Sequence, residues 1–388
     1  MTQPKALTIG LVAGESSGDN LGAALMRAIR ERAPGTRFAG VAGPAMRAEG
    51  CEAWAPADEL AVMGLFEVLH HLPRLLRLRR ELRNRFLSER PDVFVGIDAP
   101  EFNLGVAPVL HAAGIRTVQY VSPQVWAWRR GRARRMAGFL DLVLCLLPFE
   151  PPVYDRAGLR AIFVGHPLAD QLPLVPDRAA ARAGLGLPAQ GEVVAVLPGS
   201  RVGEVARLAD DFAGAMQWLA GRRAGLRFVA PMASAQTRSI FEQALARHAR
   251  DINVQLIDGN SRTALTASDA ALVASGTATL ETLLCKRPMV VAYRLGWMTA
   301  LALRTLRMLK APYFAQPNLL AGRLVVPELA QGEVRPERLG REIERWLDGP
   351  AEVAALQESF TAIHRELRAG ASDRAAEAIL ALARGSGE

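Results

Sequence analysis

The chain has 388 residues, half of them hydrophobic and 22% charged, with a formal net charge of +8. This length exceeds what one hydrophobic core usually serves, so two domains are expected, and the composition excludes an extensively disordered chain. Nearly all of the positive charge is arginine, because Lys5, Lys286 and Lys310 are the only lysines.

Short apolar runs alternate with helical stretches along the whole chain. The first half contains LTIGLVA, RFAGVAG, DVFVGID, RTVQYV, LDLVLCL and AIFVG, and the second half contains EVVAVLPG, LRFVAPM, NVQLID, AALVAS and PMVVAY. Such strands, separated by helices, indicate parallel sheets covered on both faces. The pattern predicts an α/β protein of two doubly wound domains with a cleft between them, in which ligands bind beyond the carboxyl ends of the strands.

The segment between the two series is rich in proline and glycine and has no obvious strand, so it predicts a linker. The predicted domains are residues 1–168 and 189–349, joined by a linker at 169–188. Residues 350–388 contain two amphipathic helical stretches. This tail closes the second domain, crosses back to the first, or is exchanged with another protomer.

A segment rich in leucine and arginine, MGLFEVLHHLPRLLRLRREL, spans residues 63–82. Its leucines fall at helical spacing and its arginines crowd the rest of the surface, while Pro73 is expected to divide it into two short helices. Three interpretations compete: a core helix with a solvated back, a nucleic-acid patch, or a helix that touches a membrane.

No export or membrane-spanning segment is predicted. The first apolar run leads into GESSGD rather than a cleavage site, and the longest charge-free run, residues 102–115, is too short to span a bilayer. Cys51, Cys145 and Cys285 form no CxxC pair, which is typical of reduced residues. We therefore expect a soluble or peripheral protein of the cytoplasm.

Polar residues follow two strands of the first half. GESSGD, after the first strand, supplies Glu15, Ser17 and Asp19, which suit a sugar or acceptor; the alternative is that Ser17 or Asp19 only caps the next helix. Asp98 ends the apolar strand DVFVGI, where limited water raises a carboxyl pKa toward that of a working base. Asp98 is the first candidate for a general base, unless it merely caps the turn before Pro100.

Two turns of the second half suit an anion. In LPGSR, Gly199 lets the backbone approach closely, Ser200 opens a helix, and Arg201 can contact phosphate in a bidentate manner. The alternative is an ordinary turn with an exposed arginine.

The turn SGTATLE repeats this arrangement after a later strand. Ser275, Gly276 and Thr277 open a helix that carries Glu281, a carboxylate at a depth suited to the two hydroxyls of a ribose. Two anion turns in one domain indicate a nucleotide, although a simple helix cap with Glu281 on a solvated face remains the alternative. The chain has no GxxxxGK[ST] motif, and its six histidines have no metal-site spacing, so no metal is expected.

The motifs GESSGD, VMGLFEVL, VGIDAPEFN, YVSPQVWAWR, LPFE, GHPL, LPGSR, SDAALVASGTATLE, PMVVAYR and QPNLLAGR together resemble the lipid-A-disaccharide synthases, in this order and over nearly the whole chain. The resemblance implies a bacterial inverting hexosyltransferase of the GT-B fold, with Rossmann-like domains and no cofactor, at the cytoplasmic face of the inner membrane. It implies transfer of 2,3-diacylglucosamine from its UDP derivative to the 6-hydroxyl of 2,3-diacylglucosamine 1-phosphate (lipid X), which gives UDP and the β-1,6-linked disaccharide of lipid A.

The resemblance also implies residue roles. Asp98 matches the general base, Arg201 the arginine that holds the diphosphate, and Glu281 the acid that binds ribose. Asn318, in QPNLLAG, matches a polar residue important for activity, here grouped with the catalytic residues. The rest of the nucleotide-sugar site comprises Gly199, Ser200, Ser275, Gly276 and Thr277, and the acceptor side comprises Glu15, Ser17 and Asp19.

Because both implied substrates carry acyl chains, the first domain is expected to touch an anionic membrane. The expected apolar patch consists of Leu65, Phe66, Leu69, Leu72, Leu75 and Leu76, and the flanking arginines are Arg74, Arg77 and Arg80. A homodimer with exchanged C-terminal segments is the expected form of association.

Two other interpretations stay open. A related enzyme acting on soluble UDP-N-acetylglucosamine, such as an epimerase, would explain both anion turns but leaves the leucine and arginine segment without a purpose. A nucleic-acid-binding protein would explain the basic run at residues 129–135 but not two separate anion turns. No nucleic-acid partner is therefore expected.

Overall fold

A computed structural model describes residues 7–60, 65–123, 130–295 and 313–385. The chain divides into two compact units, of which the first comprises residues 1–170 and 367–388 and the second comprises residues 171–366. Each unit is built around one parallel sheet. In the described parts of the chain, no helix is both long enough and apolar enough to cross a bilayer.

The first unit contains a seven-stranded sheet. Its strands are β1 (Thr8–Ala13), β2 (Arg37–Ala42), β3 (Glu52–Pro56), β4 (Val93–Ile97), β5 (Arg116–Tyr120), β6 (Leu142–Cys145) and β7 (Ala161–Phe163). They lie in the order β3-β2-β1-β4-β5-β6-β7, and every neighbouring pair is parallel. The order reverses between β1 and β4, and the carboxyl ends of these two strands therefore form the switch point where such sheets bind ligands.

The second unit repeats this plan with six strands. They are β8 (Val193–Leu197), β9 (Arg227–Met232), β10 (Val254–Asp258), β11 (Ala270–Ala274), β12 (Met289–Tyr293) and β13 (Glu328–Ala330). Their order is β10-β9-β8-β11-β12-β13, again parallel throughout, with the reversal between β8 and β11.

Helices cover both faces of each sheet. In chain order they are α1 (Glu15–Arg32), α2 (Pro44–Ala48), α3 (Leu65–Glu89), α4 (Pro100–Ala112), α5 (Arg130–Met136), α6 (Pro151–Asp155), α7 (Pro167–Gln171), α8 (Arg178–Gly184), α9 (Val202–Ala220), α10 (Ala235–His248), α11 (Ser261–Ala267), α12 (Thr277–Leu284), α13 (Gln316–Ala321), α14 (Pro336–Asp348), α15 (Pro350–Leu367) and α16 (Ala371–Ala383). Short 3-10 turns lie at Ala57–Leu60 and Gln331–Glu333.

The core of the first unit lies on both faces of its sheet. One face packs against α1 and α16, through buried residues such as Ile29 and Ile379. The other face packs against α3 and α4, with Leu82 and Phe86 of α3 in the core. The last helix of the chain is therefore part of the first unit, because its apolar side completes this core.

Two expectations about chain organisation differ from the structure. Pro73 does not divide its segment, because α3 runs through it as one helix of 25 residues whose later turns are anchored in the core. Most of the segment predicted as a linker belongs to the second unit. There the fully buried Arg182 donates to the carbonyls of Ala267 at 2.9 Å and Gly191 at 3.0 Å and pairs with Asp269 at 2.8 Å.

Candidate active site

A cavity of about 340 Å³ lies within the second unit, at the carboxyl ends of β8, β9 and β11. This is the place where the strand order reverses between β8 and β11, which is the usual ligand position in a doubly wound sheet. The turns predicted from LPGSR and SGTATLE both line it. The structure thus brings together the two turns predicted to suit an anion, which are more than 70 residues apart in the sequence.

The LPGSR turn is shaped by a carboxylate that sequence analysis missed. Gly199 has a φ of 126°, and a Cβ at this position would overlap the side chain of Glu204. Glu204 accepts a hydrogen bond from the Ser200 N–H at 3.2 Å, and burial raises the pKa of this carboxyl. Arg201 is exposed at the start of α9. A glutamate three residues after a helix N-cap is a sequence signal that identifies such a contact.

The SGTATLE turn presents its polar groups to the same cavity. Gly276 and Thr277 are exposed at the start of α12, while the Ser275 hydroxyl donates to the Phe314 carbonyl at 3.2 Å. Glu281 does not lie on a solvated face, since only 18% of its side chain is exposed. Its Oε2 accepts a hydrogen bond from the Ser261 hydroxyl at 3.0 Å, which orients the carboxylate at the cavity wall.

Asn318 does not line the cavity, and its expected role among the catalytic residues stays a prediction. It is fully buried, and its Nδ2 donates to Val326 O at 2.9 Å and to Glu328 Oε1 at 2.7 Å. Its Oδ1 accepts from the N–H groups of Val325 at 2.7 Å and Val326 at 2.9 Å. These bonds use both amide hydrogens and both acceptor sites, so the side chain fastens residues 318–328 to one another.

Glu328 connects the hydrogen bonds of Asn318 to the cavity. Sequence analysis also missed this residue. Its carboxylate accepts from the backbone N–H groups of Phe314 and Ala315, each at 2.9 Å, besides the amide of Asn318. Phe314 in turn accepts from the Ser275 hydroxyl, which belongs to the cavity lining. Asn318 and Glu328 therefore support the wall of the cavity from behind.

Asp98 lies at the switch point of the first sheet, directly after β4. Its backbone φ is 52°, and the next residue, Ala99, has a φ of 38°. The side chain is half-buried, and burial raises its pKa above the ordinary range of an aspartate. A carboxylate with this position and proton affinity is suited to accept a proton from a hydroxyl group.

The residues of GESSGD lie in different surroundings. Ser17 is exposed on α1, and Glu15 opens that helix. Asp19 is buried and accepts from the backbone N–H groups of Gly43 at 2.9 Å, Ala45 at 2.7 Å and Met46 at 3.0 Å. Asp19 therefore caps the start of α2 and not its own helix, and its expected place on the acceptor side stays a prediction.

Helix α3 divides its leucines between the core and the surface. Leu78 and Leu82 are buried, whereas Leu72 and Leu76 are 40% and 49% exposed. Leu75 is half-buried, and Arg77 and Arg80 are exposed. Arg74 pairs with Glu59 at 3.2 Å. The side chains of Leu65, Phe66 and Leu69 lie outside the described residues.

Other arginines of α3 are engaged within the first unit. Arg79 donates to the Glu101 carbonyl at 3.0 Å, and Arg83 donates to the Gly105 carbonyl. Within the described ranges, no cluster of three or more histidine, cysteine, aspartate or glutamate side chains is placed to hold a metal ion.

Comparison with known proteins identifies relatives over nearly the full length of the chain. Residues 9–380 match the family model described as lipid-A-disaccharide synthetase. The lipid-A-disaccharide synthase of Yersinia pseudotuberculosis serotype I is 50% identical over 379 residues, covering 98% of this chain and 96% of that relative. The enzyme of the same name from Pseudomonas savastanoi pv. phaseolicola is 54% identical over 383 residues, covering 98% of each chain.

Solved structures share the fold at low sequence identity. The crystal structure of the glycotransferase of kitacinnamycin has a TM-score of 0.61 and 19% identity, covering 98% of this chain and 100% of that one. The UDP-GlcNAc 2-epimerase from Neisseria meningitidis, bound to UDP-GlcNAc, has a TM-score of 0.60 and 10% identity, with the same coverage. These likenesses, with the two parallel sheets, confirm the predicted α/β class and GT-B fold.

Proposed function

The chain belongs to the lipid-A-disaccharide synthase family, and from this premise we propose that it transfers 2,3-diacylglucosamine from UDP to the 6-hydroxyl of 2,3-diacylglucosamine 1-phosphate. Family membership confirms the prediction made from the motifs and makes the protein a glycosyltransferase of lipid A biosynthesis. The proposal covers the substrates, the roles of the residues, and the inversion of configuration at the anomeric carbon. The observation that carries it is the cavity at the switch point of the second sheet, with its two anion turns and one oriented carboxylate.

We assign the UDP moiety to this cavity. The starts of α9 and α12 present outward backbone N–H groups, which suit a diphosphate. Arg201, exposed beside the cavity, supplies the opposite charge that a diphosphate requires. Glu281, held by Ser261, is placed to accept the hydroxyls of the ribose. Gly199, Ser200, Ser275, Gly276 and Thr277 complete the backbone and hydroxyl contacts.

We assign the role of general base to Asp98. It takes the proton of the acceptor 6-hydroxyl as that oxygen bonds to the anomeric carbon and the bond from this carbon to the UDP oxygen breaks. Attack from the face opposite the leaving group inverts the configuration and gives a β linkage. Arg201 and the two helix starts stabilise the charge that grows on UDP, and one such donor is worth about 3 kcal/mol in the transition state.

We assign the exposed part of α3 to the membrane surface. Leu72 and Leu76 are exposed apolar side chains on a helix that also presents Arg77 and Arg80. This combination suits insertion at the level of the lipid headgroups, where each basic residue adds about 1 kcal/mol near an anionic surface. The enzyme would thereby meet its acylated substrates at the cytoplasmic face of the inner membrane, as a peripheral protein.

A homodimer with exchanged C-terminal segments also belongs to the proposal. Helix α16 is fastened to α1, where Arg32 pairs with Asp373 at 2.8 Å, and its buried side includes Ile379. The same contacts form if α16 comes from a second copy, which is the usual basis of segment exchange. Light scattering of the purified protein measures the expected dimer mass, and a monomer at all concentrations contradicts the exchange.

An epimerase of soluble UDP-N-acetylglucosamine is the second candidate, because solved structures of such epimerases share the fold. The family match and the exposed leucines of α3 favour the lipid substrates. Nuclear magnetic resonance of the product distinguishes the two. We expect a β linkage to the 6-oxygen of the acceptor. An α linkage, another acceptor oxygen, or turnover of soluble UDP-N-acetylglucosamine in place of the acylated donor contradicts the proposal.

A further inference from the structure

Three neighbouring strands of the first sheet end in an unusual backbone conformation. Within two residues of the ends of β1, β4 and β5, four residues have positive φ angles without being glycine: Glu15 at 59°, Asp98 at 52°, Ala99 at 38° and Val121 at 73°. Such angles are unfavourable for side chains with a Cβ, and most of all for a β-branched valine. A fold keeps them only where its surroundings enforce them, and such places cluster at working sites.

Two buried amides enforce the turns after β4 and β5. Gln119 is 1% exposed, and its Nε2 lies 3.0 Å from Asp98 O, 3.3 Å from Tyr120 O and 3.2 Å from Val121 O. Asn103 is also 1% exposed, and its Nδ2 donates to Asp98 O at 2.8 Å. The carbonyl of Asp98 therefore receives two side-chain donors from two different elements, α4 and β5.

The surroundings of Asn103 show that its donor end matters more than its acceptor end. A Cβ at Gly96 would lie 2.7 Å from the Cβ of Asn103, so the strand leaves this space free for the amide. The Oδ1 of Asn103 is buried without a hydrogen-bond partner in the described structure. A core position occupied for stability alone is better filled by an apolar side chain, since an unpaired buried acceptor is unfavourable.

We propose that Asn103 and Gln119 are positioning residues for the reaction, which hold the carbonyl of Asp98 and thereby fix the direction and the burial of its carboxylate. The inference rests on the proposed function, in which Asp98 is the general base. Without either donor, the turn at Asp98 and Ala99 can relax toward a common backbone conformation. The carboxylate then moves away from its working position and into contact with more water.

The electrostatic surroundings of Asp98 make this change measurable. Burial is the main influence on its pKa, opposed by the Ala99 N–H, which donates to it. The titratable groups on the elements around it include Glu15 at the start of α1, Glu101 on α4, which pairs with Arg132 at 2.6 Å, and Tyr120 on β5, whose pKa burial raises. A carboxylate released toward water loses the influence of burial, so its pKa falls.

The variants Asn103→Leu and Gln119→Met test the proposal, because they keep the volume of each side chain and remove its donor. Thr117→Val is the matched control on β5: it removes buried hydrogen bonds to Phe139 O at 2.6 Å and to Asp141 at 3.2 Å, away from Asp98. We expect kcat to fall roughly 10- to 100-fold in the two variants, as for a small misplacement of a reacting group, with KM for the UDP donor unchanged. The acid limb of the kcat profile should shift to lower pH, while Thr117→Val keeps the wild-type kcat and profile.

A strain-relief variant keeps the proposal testable if the single variants fold poorly. Ala99→Gly gives the turn a residue that adopts positive φ freely. Combined with Gln119→Met, it should restore folding and part of kcat. The inference is overturned if Asn103→Leu and Gln119→Met match Thr117→Val in kcat and pH profile, or if the double variant Ala99→Gly, Gln119→Met folds and has the full wild-type kcat. Asp98→Asn separates the two claims: if it stays active, the assignment of the base fails instead.

Discussion

The Asn318 amide donates a hydrogen bond to the Glu328 carboxylate at 2.7 Å, behind the wall of the cavity proposed to bind the nucleotide. Glu328 also accepts from the backbone N–H groups of Phe314 and Ala315, so its carboxylate accepts three hydrogen bonds. Through this relationship, a change at the buried asparagine is expected to reach the cavity without contact with substrate. The effect passes through residues 313–318 to Ser275.

Replacement of Glu328 by glutamine should weaken nucleotide binding. The NH2 group of the glutamine would face backbone N–H groups, so donors would meet donors. Each buried donor left without an acceptor lowers the stability of this region by about 1–3 kcal/mol. We expect a UDP dissociation constant about tenfold or more above wild type in calorimetric titration. Glu333→Gln, at an exposed carboxylate paired with Arg338, is the control and should bind UDP normally. Equal affinity in both variants contradicts the supporting role of Glu328.

Replacement of Glu281 by glutamine tests the assignment of the ribose site. The glutamine keeps the shape and the contact with Ser261 but loses the charge that strengthens hydrogen bonds to the ribose hydroxyls. Loss of a charge-assisted bond corresponds to about 1.5–3 kcal/mol, so UDP should bind about tenfold or more weakly. Uracil alone should bind wild type and variant alike. An unchanged UDP affinity would place the ribose elsewhere.

Replacement of Asp98 by asparagine should abolish transfer and stabilise the fold. Because burial raises the folded-state pKa of Asp98 above its unfolded value, the ionised carboxylate destabilises the folded protein. This penalty is absent below the unfolded pKa, develops as the pH rises toward the folded pKa, and is complete above the folded pKa. Denaturant titrations at pH 4 and pH 7 should therefore show a larger gain in unfolding free energy for the variant at the higher pH. A loss of stability at pH 7 contradicts the burial of a charged Asp98.

The strand, turn and helix pattern was sufficient to predict the parallel sheets and the positions of the LPGSR and SGTATLE turns, because each is a local sequence feature. The position of Asp98 followed for the same reason, since it directly ends an apolar strand. The partners of Asp19 and Asn318 could not be predicted. Their hydrogen bonds join segments that only the tertiary fold brings together, such as Asp19 with the start of α2. The prediction that Pro73 divides the helix was wrong, because the stability of α3 comes from its packing rather than from its local sequence.

Replacement of Asp19 by alanine should destabilise the first unit. Three backbone N–H groups at the start of α2 lose their acceptor, and two of these bonds are buried. We expect a loss of roughly 3–5 kcal/mol of unfolding free energy in urea titration. Ser17→Ala, at an exposed position of the same helix, should change it by less than about 0.5 kcal/mol. A comparable effect of the two substitutions contradicts the capping role.

Serine at Leu72 and Leu76 should release the protein from membranes. Both side chains are exposed, so the change removes apolar surface without opening the core. In flotation with vesicles of anionic phospholipid, the double variant should remain with the soluble fraction while wild type floats. Val175→Ser, at a side chain that is 84% exposed in the second unit, is the control and should float like wild type. Flotation of the double variant at the wild-type level excludes this part of α3 from the membrane contact.

The most direct test of the central claim is the reaction itself. The purified protein is incubated in mixed micelles with UDP-2,3-diacylglucosamine and 2,3-diacylglucosamine 1-phosphate, with chelator and without added metal, and the products are followed by mass spectrometry. We predict equal amounts of UDP and the tetra-acyl disaccharide phosphate, with both lost in Arg201→Ala. Release of UDP without the disaccharide, or no turnover by a protein that binds UDP, contradicts the proposed transfer.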